Sequence, residues 1–263
     1  MVRSQENYHA TAIVDPEANL SDSTTVGPFS IIESNVNIGS STQIDSHVLV
    51  GWGTTIGEGC RIHKGAVVGT IPQDLKFKGE ESHLIVGDRT VIREYCTLNR
   101  GTEPGDSKTL VGDDCLLMAY AHIAHDCIIG NQVIIANAVQ LAGHIEIGDY
   151  SSIGGLTAIH QFVKIGQNTF VGGRSRVAQD VPPFILASGE PLRYYGPNAV
   201  GLRRRGFSRE QISNIKKAYG HIFSEKLNMT QAIEAINSDQ EITTEIREIL
   251  NFLEHSNRGL IGG

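Results

Sequence analysis

From Val111 to Val177 an aliphatic residue returns at every sixth position, through Leu117, Ile123, Ile129, Ile135, Leu141, Ile147, Ile153, Ile159, Ile165 and Val171. Neither a helix, with a period of about 3.6, nor a strand, with a period of about 2, generates that interval. Hexapeptide units stack into parallel β-helices, because each is too short to bury its apolar residue alone and stacking builds one continuous core. Three hexads close a triangular coil of 18 residues, so residues 18 apart lie above one another. Glycine often follows the aliphatic (Gly112, Gly130, Gly148, Gly154, Gly166, Gly172), where it is expected to turn the chain with positive φ.

The same interval runs earlier, through Val14, Leu20, Val26, Ile32, Ile38, Ile44, Val50, Ile56, Ile62 and Val68, and resumes at Val86, Ile92 and Leu98. Two excursions interrupt it, at about 69–85 and about 100–110, and the second separates Leu98 from Val111 by 13 residues, so that phase is lost there. Loops that break a solenoid tend to carry binding work. The hexads stop at Pro182 and Pro183, which cannot donate ladder hydrogen bonds. Residues 1–183 therefore read as the β-helix and 184–263 as a linker and helical domain. Ser208 and Gln211 form a capping box for a helix to about Lys226. Further helices are expected from Thr230 through Ile236 and from about Ile242 to His255. Arg203, Arg204 and Arg205 stand just before the first of these.

The 18-residue column places His125, Gly143 and Gln161 above one another, with Asp126 beside His144, and His122 and His160 close by. The aliphatic series already fills the interior, so these histidines face outward. Cys60, Cys96, Cys115 and Cys127 each precede a hexad aliphatic by two residues, a slot shared with Ala66, Thr90, Ser151 and Thr157. That slot is small and inward-facing, and without a C-x-x-C pair neither zinc nor disulfides are expected. No apolar run is long enough for a membrane span and no signal core opens the chain, so a cytoplasmic protein is expected. A net charge of −7 argues against general nucleic-acid affinity.

HIAHDCIIGN, followed by LAGH, IGG-x-TAIHQF, VGG, VAQDVPPF and GLRRRGFSRE, resembles bacterial UDP-N-acetylglucosamine acyltransferases, and the resemblance takes in IPQDLKFKGE and the terminal RGLI. It implies a left-handed β-helix, a homotrimer with active sites between subunits, and no cofactor. The implied reaction moves a 3-hydroxyacyl group from acyl carrier protein to the 3-hydroxyl of UDP-N-acetylglucosamine, the first step of lipid A synthesis. By the same resemblance His122, His144, His160 and Gln161 line the sugar and thioester sites, and Asp74 and Lys76 contact the sugar end. Asn198, Arg204 and Arg205 fall at the nucleotide and Gly173 limits the acyl pocket. Pro191 and Val200 depart from a family pattern that often has His and an acidic residue there.

The chemistry of the central residues can be argued on its own. A sugar hydroxyl is a poor nucleophile, and neutral imidazole suits its deprotonation near neutral pH. His125 is the expected base and Asp126 its orienter, a pairing that needs a bend at the coil corner because neighbours on a strand point to opposite faces. The backbone N–H of Gly143 is the expected oxyanion donor. Because the net charge is negative, docking of an acidic carrier protein is expected to need a basic patch near the cleft, for which Arg174, Arg176 and Arg203–Arg205 are the candidates. Two alternatives stand beside this reading. One is a metal enzyme using His122, His125 and His144. The other is a nucleotide-sugar binder whose histidines have no role as bases.

Overall fold

A computed structural model describes residues 7–239 and 241–263. Short strands, most of two residues, alternate with tight corners, and nearly every hexad aliphatic ends a strand with its side chain buried. The strands sort into three parallel faces. The first carries Val14, Ile32, Val50, Val68, Leu98, Ile123, Leu141, Ile159 and Val177 in nine strands; the second carries Leu20 through Ile165 in eight. The third carries Val26 through Val171 and includes two further strands, for ten in all. Ile123 pairs with Leu141, Ile129 with Ile147 and Ile135 with Ile153, the 18-residue register expected of stacked coils.

Both excursions leave the same corner, between the first and second faces. Val68 pairs with Leu98 and Val86 with Val111, so the extra residues project outward and the three-face order is kept. The loss of phase expected after Leu98 is thus local, because a corner can lengthen without moving the strands on either side.

The glycine expectation is corrected. None of Gly112, Gly130, Gly148, Gly154, Gly166 and Gly172 has positive φ. The left-handed residue at most corners lies three places after the aliphatic and is usually not glycine, as at Asp126 (φ 61°), His144 (59°) and Phe162 (64°). The glycines are needed for closeness: a Cβ on Gly154 would stand 2.3 Å from the backbone nitrogen of Gly173, and one on Gly148 2.5 Å from that of Gln167. Successive coils meet backbone to backbone there.

The small inward slot also selects a donor. Thr42, Thr90 and Ser151 hydroxyls donate to the carbonyls of Gly57, Gly112 and Gly166, each at 2.8 Å. Cys60, Cys115 and Cys127 thiols do the same to Gly87, Gly130 and Ala142 at 3.1–3.2 Å. Burial pushes the Cys127 thiol up to about 12, which makes it a poor nucleophile. The cysteines are buried spacers, as their slot implies.

Beyond Pro183 the aliphatic interval ends but the sheet does not. Ile185–Ser188 adds a parallel strand to the third face, and Arg193–Pro197 returns antiparallel to it. Four helices follow: α1 (Ala199–Arg204), α2 (Arg209–Ile222), α3 (Met229–Asp239) and α4 (Thr244–Glu254). The Ser208–Gln211 capping box opens α2. The sequence pattern missed α1, so Arg203 and Arg204 form its last turn and Arg205 its C-cap instead of a linker. Tyr219 of α2 is buried and donates to the Pro183 carbonyl at 2.6 Å. Buried Asp180 accepts from the Ser256 hydroxyl at 2.7 Å and the Asn257 amide at 3.1 Å, tying the C-terminal segment to the last coil.

Candidate active site

Five consecutive levels of the corner between the first and second faces carry the polar residues. The long loops come first, then His122, His125 and Asp126, then Gly143 and His144, then His160, Gln161 and Phe162. The left-handed backbone at Asp126 supplies the bend that brings its side chain alongside that of its neighbour. His125 Nδ1 lies 2.6 Å from Asp126 Oδ2, with both side chains almost fully buried. Because Nδ1 is engaged, Nε2 is the nitrogen left to act on a substrate.

Gly143 lies against the His125 ring. A Cβ there would stand 2.5 Å from Cε1 and 2.7 Å from Nε2, so any side chain at this position strikes the imidazole. The Gly143 N–H donates to no acceptor among the described residues. A free nitrogen and a free N–H therefore sit side by side.

Asp126 holds more than His125. Its Oδ1 accepts the Thr102 amide at 2.7 Å and its Oδ2 the Thr102 hydroxyl at 2.5 Å, while its own amide donates to Thr109 at 2.8 Å. Burial pushes the Asp126 carboxyl up, but the hydrogen bonds from His125 and Thr102 outweigh it and hold the group below the usual carboxylate range. His144 Nε2 approaches the same oxygen at 3.5 Å. Its ring meets His125 edge-on at 5.2 Å and stacks on Phe162 at 4.5 Å. His122 turns to the Thr97 hydroxyl at 2.7 Å, and His160 is exposed, its Nδ1 3.2 Å from the Gln161 carbonyl. Asp74 and Lys76, on the first loop, are close enough for their charges to act on His144.

The metal alternative named His122, His125 and His144, but the three potential ligands that converge are His125, Asp126 and His144, with ligand atoms within 4.8 Å. His122 stands outside that group. Tetrahedral ligands about 2.0 Å from one ion lie roughly 3.3 Å apart, wider than the 2.6 Å between Nδ1 and Oδ2. The spacing is that of a hydrogen-bonded pair.

Not every residue expected at the site gathers there. Gly173 lies at the corner between the third and first faces, over Gly155. Asn198, Arg204 and Arg205 line a cleft of about 770 Å³ over the third face, with Ile134, Phe170 and Val200. Asn198 caps α1 by accepting from Gly201 N and donates to the Asn168 carbonyl at 3.0 Å. Arg205 donates to the Tyr150 carbonyl at 2.7 Å and lies over that ring.

The pattern described as bacterial transferase hexapeptide (six repeats) matches residues 108–143, and that described as Udp N-acetylglucosamine O-acyltransferase, domain 2, matches residues 180–261. The acyl-(acyl-carrier-protein)–UDP-N-acetylglucosamine O-acyltransferase of Paracidovorax citrulli is 52% identical over 258 residues, covering 97% of this chain and 98% of that protein. The Chlorobaculum parvum enzyme of the same name is 52% identical, covering 96% of each. The chain belongs to this acyltransferase family. The structure of LpxA from Acinetobacter baumannii matches with a TM-score of 0.94 at 43% identity, over 97% of this chain and 100% of that one. The fold is the family's left-handed β-helix with C-terminal helices.

Within this family member, Phe162, Thr102 and Gly105 are site residues that sequence reasoning did not name. Phe162 had a signal, since it continues the Asp126–His144 column by 18; Thr102 and Gly105 lie on an aperiodic loop and had none. Titration of two histidines gives a testable consequence. Burial, with His125 nearby, holds His122 below the ordinary imidazole range, and burial does the same to His144 against the opposing pull of Asp126. Their folded state favours the neutral ring, so their contribution to stability is fully present above the free-imidazole value of about 6.5 and is lost as pH falls through the lower folded values. The urea midpoint of the wild type should drop between about pH 7.5 and about pH 5, and His122→Gln should drop less. Equal drops for the two proteins would contradict this assignment.

Proposed function

We propose that this chain transfers a 3-hydroxyacyl group from acyl carrier protein to the 3-hydroxyl of UDP-N-acetylglucosamine, opening lipid A synthesis in the cytoplasm, with His125 as general base. The observation that carries the reading is the short His125–Asp126 bond beside the unengaged Gly143 N–H. His125 Nε2 removes the sugar hydroxyl proton as that oxygen attacks the thioester carbonyl. The Gly143 N–H donates to the developing oxyanion. When the tetrahedral intermediate collapses, the carrier thiolate leaves and takes the proton from Nε2. Asp126 keeps the ring oriented and stabilises the imidazolium while it carries that proton. No acyl-enzyme is required, in keeping with the inward, hard-to-ionise cysteines.

Asp74, Lys76, His122, His144, His160 and Gln161 hold the sugar and thioester in this scheme. Asn198, Arg204 and Arg205 meet the nucleotide and Gly173 bounds the acyl chain. These groups occupy different corners of one prism, which favours a homotrimer whose sites draw the base from one subunit and the arginines from its neighbour. Val200 lines the arginine cleft as an exposed apolar residue, so the uridine contact differs there from an acidic pattern.

Mixing tests the shared site. His125→Ala and Arg204→Ala/Arg205→Ala chains, each inactive, should regain about a quarter of wild-type sites when refolded together, because a working site then needs one intact half from each of two neighbours. No recovery, with mixed trimers demonstrated, would place base and arginines in one chain. The carrier protein docks on Arg174, Arg176 and exposed Arg203 and Arg204 in this reading. At subsaturating carrier the rate should fall several-fold between about 50 mM and about 300 mM salt. A flat salt profile would remove the electrostatic docking.

A further inference from the structure

The second excursion adds seven residues at the corner directly before the catalytic level, and its innermost part faces neither solvent nor the expected substrate positions. Thr102 is buried, 3% exposed, and both of its donors end on the Asp126 carboxylate: the amide on Oδ1 at 2.7 Å and the hydroxyl on Oδ2 at 2.5 Å. Gly105 closes over the same carboxylate, where a Cβ would stand 2.1 Å from Asp126 Cγ. The loop is itself braced, since Gly105 N and Ser107 N donate to the Thr102 carbonyl at 3.0 Å, and Gly101 N donates to the His83 carbonyl at 3.1 Å.

We propose that Thr102 is a positioning residue for the acyl transfer, acting through Asp126 by fixing the carboxylate plane and sharing the oxygen that binds His125. This rests on the general-base reading above. The Thr102 hydroxyl and His125 Nδ1, at 2.5 and 2.6 Å, both draw on Oδ2, with His144 Nε2 at 3.5 Å. A carboxylate oxygen divided among several donors is a weaker base toward each. The hydroxyl therefore limits how strongly Asp126 favours the imidazolium, and the amide on Oδ1 sets the angle at which Oδ2 meets the ring. Removing the hydroxyl leaves Oδ2 to His125 and His144 and strengthens its hold on the His125 ring.

The test is Thr102→Ala, which deletes the hydroxyl, keeps the amide and forces no methyl group against the carboxylate, with Thr102→Ser to restore the donor. In steady-state kinetics across pH, Thr102→Ala should lower kcat about 10-fold at neutral pH, as expected for loss of a hydrogen bond to a charged group. KM for UDP-N-acetylglucosamine and for the acyl carrier should stay within about 2-fold. The acid limb of the kcat/KM profile should move up by roughly half a pH unit, and Thr102→Ser should restore both position and rate. An unmoved acid limb, or an equal loss at every pH accompanied by a rise in KM, would overturn the proposal, since loop disorder alone produces the latter. His125→Ala, run alongside, separates the two claims. If it keeps wild-type turnover, the general-base reading fails; if it is inactive while the Thr102→Ala profile is unshifted, only the role of Thr102 fails.

Discussion

His125→Ala should lower kcat for acyl transfer by about 10²- to 10⁴-fold, the range that a positioned general base contributes. The sugar hydroxyl is un-ionised near neutral pH, and among the described residues His125 combines a free ring nitrogen, a carboxylate on its other nitrogen and an adjacent unengaged N–H. His144 cannot take its place without rearrangement, because its ring is fixed between the edge of His125 and the face of Phe162. Binding should change little, since Asp74, Lys76 and the arginine cleft are untouched. The measurement is kcat and UDP-N-acetylglucosamine Kd for wild type and variant, with and without a chelator. A variant that binds the sugar nucleotide and retains turnover would leave a binding role or a different base. Loss of wild-type activity on chelation would revive the metal alternative.

Gly143→Ala should be nearly as damaging, for a steric reason. The new Cβ lands 2.5 Å from His125 Cε1, and the ring has little freedom to yield, being almost fully buried and tethered to Asp126 at 2.6 Å. A displacement of about 1 Å in a reacting group costs on the order of 10²-fold in rate. The atoms that must move belong to a buried, tethered ring, so stability should fall as well, by about 1 kcal/mol, the lower range for overpacking. Gly154→Ala is the control: its Cβ meets the Gly173 backbone nitrogen at 2.3 Å and the Gly172 carbonyl carbon at 2.7 Å, atoms that cannot move without shifting a whole coil. That variant should lose about 3 kcal/mol of stability, the upper range for overpacking. Thermal unfolding and kcat measured on both variants decide the matter. A Gly143→Ala enzyme with full activity would show that the ring is not confined as described.

The hexad series determined the coil and the faces of the prism, because a strict repeat leaves each aliphatic only one place to be buried. It also placed His125 over Gly143 and Asp126 beside His144, since stacking in register is a direct consequence of the 18-residue period. The small slot before each aliphatic could be read in the same way. The sequence did not reveal why the glycines are there: periodicity predicts a turn, whereas the structure shows that two backbones meet at that point. Nor did it reveal α1, too short to display a helical period, or the strand Ile185–Ser188 beyond the prolines. The hold of Thr102 on Asp126 belongs to the tertiary structure alone. Contacts within the repeat follow from counting, while a contact made by an aperiodic loop depends on where that loop folds back, which the fold around it decides.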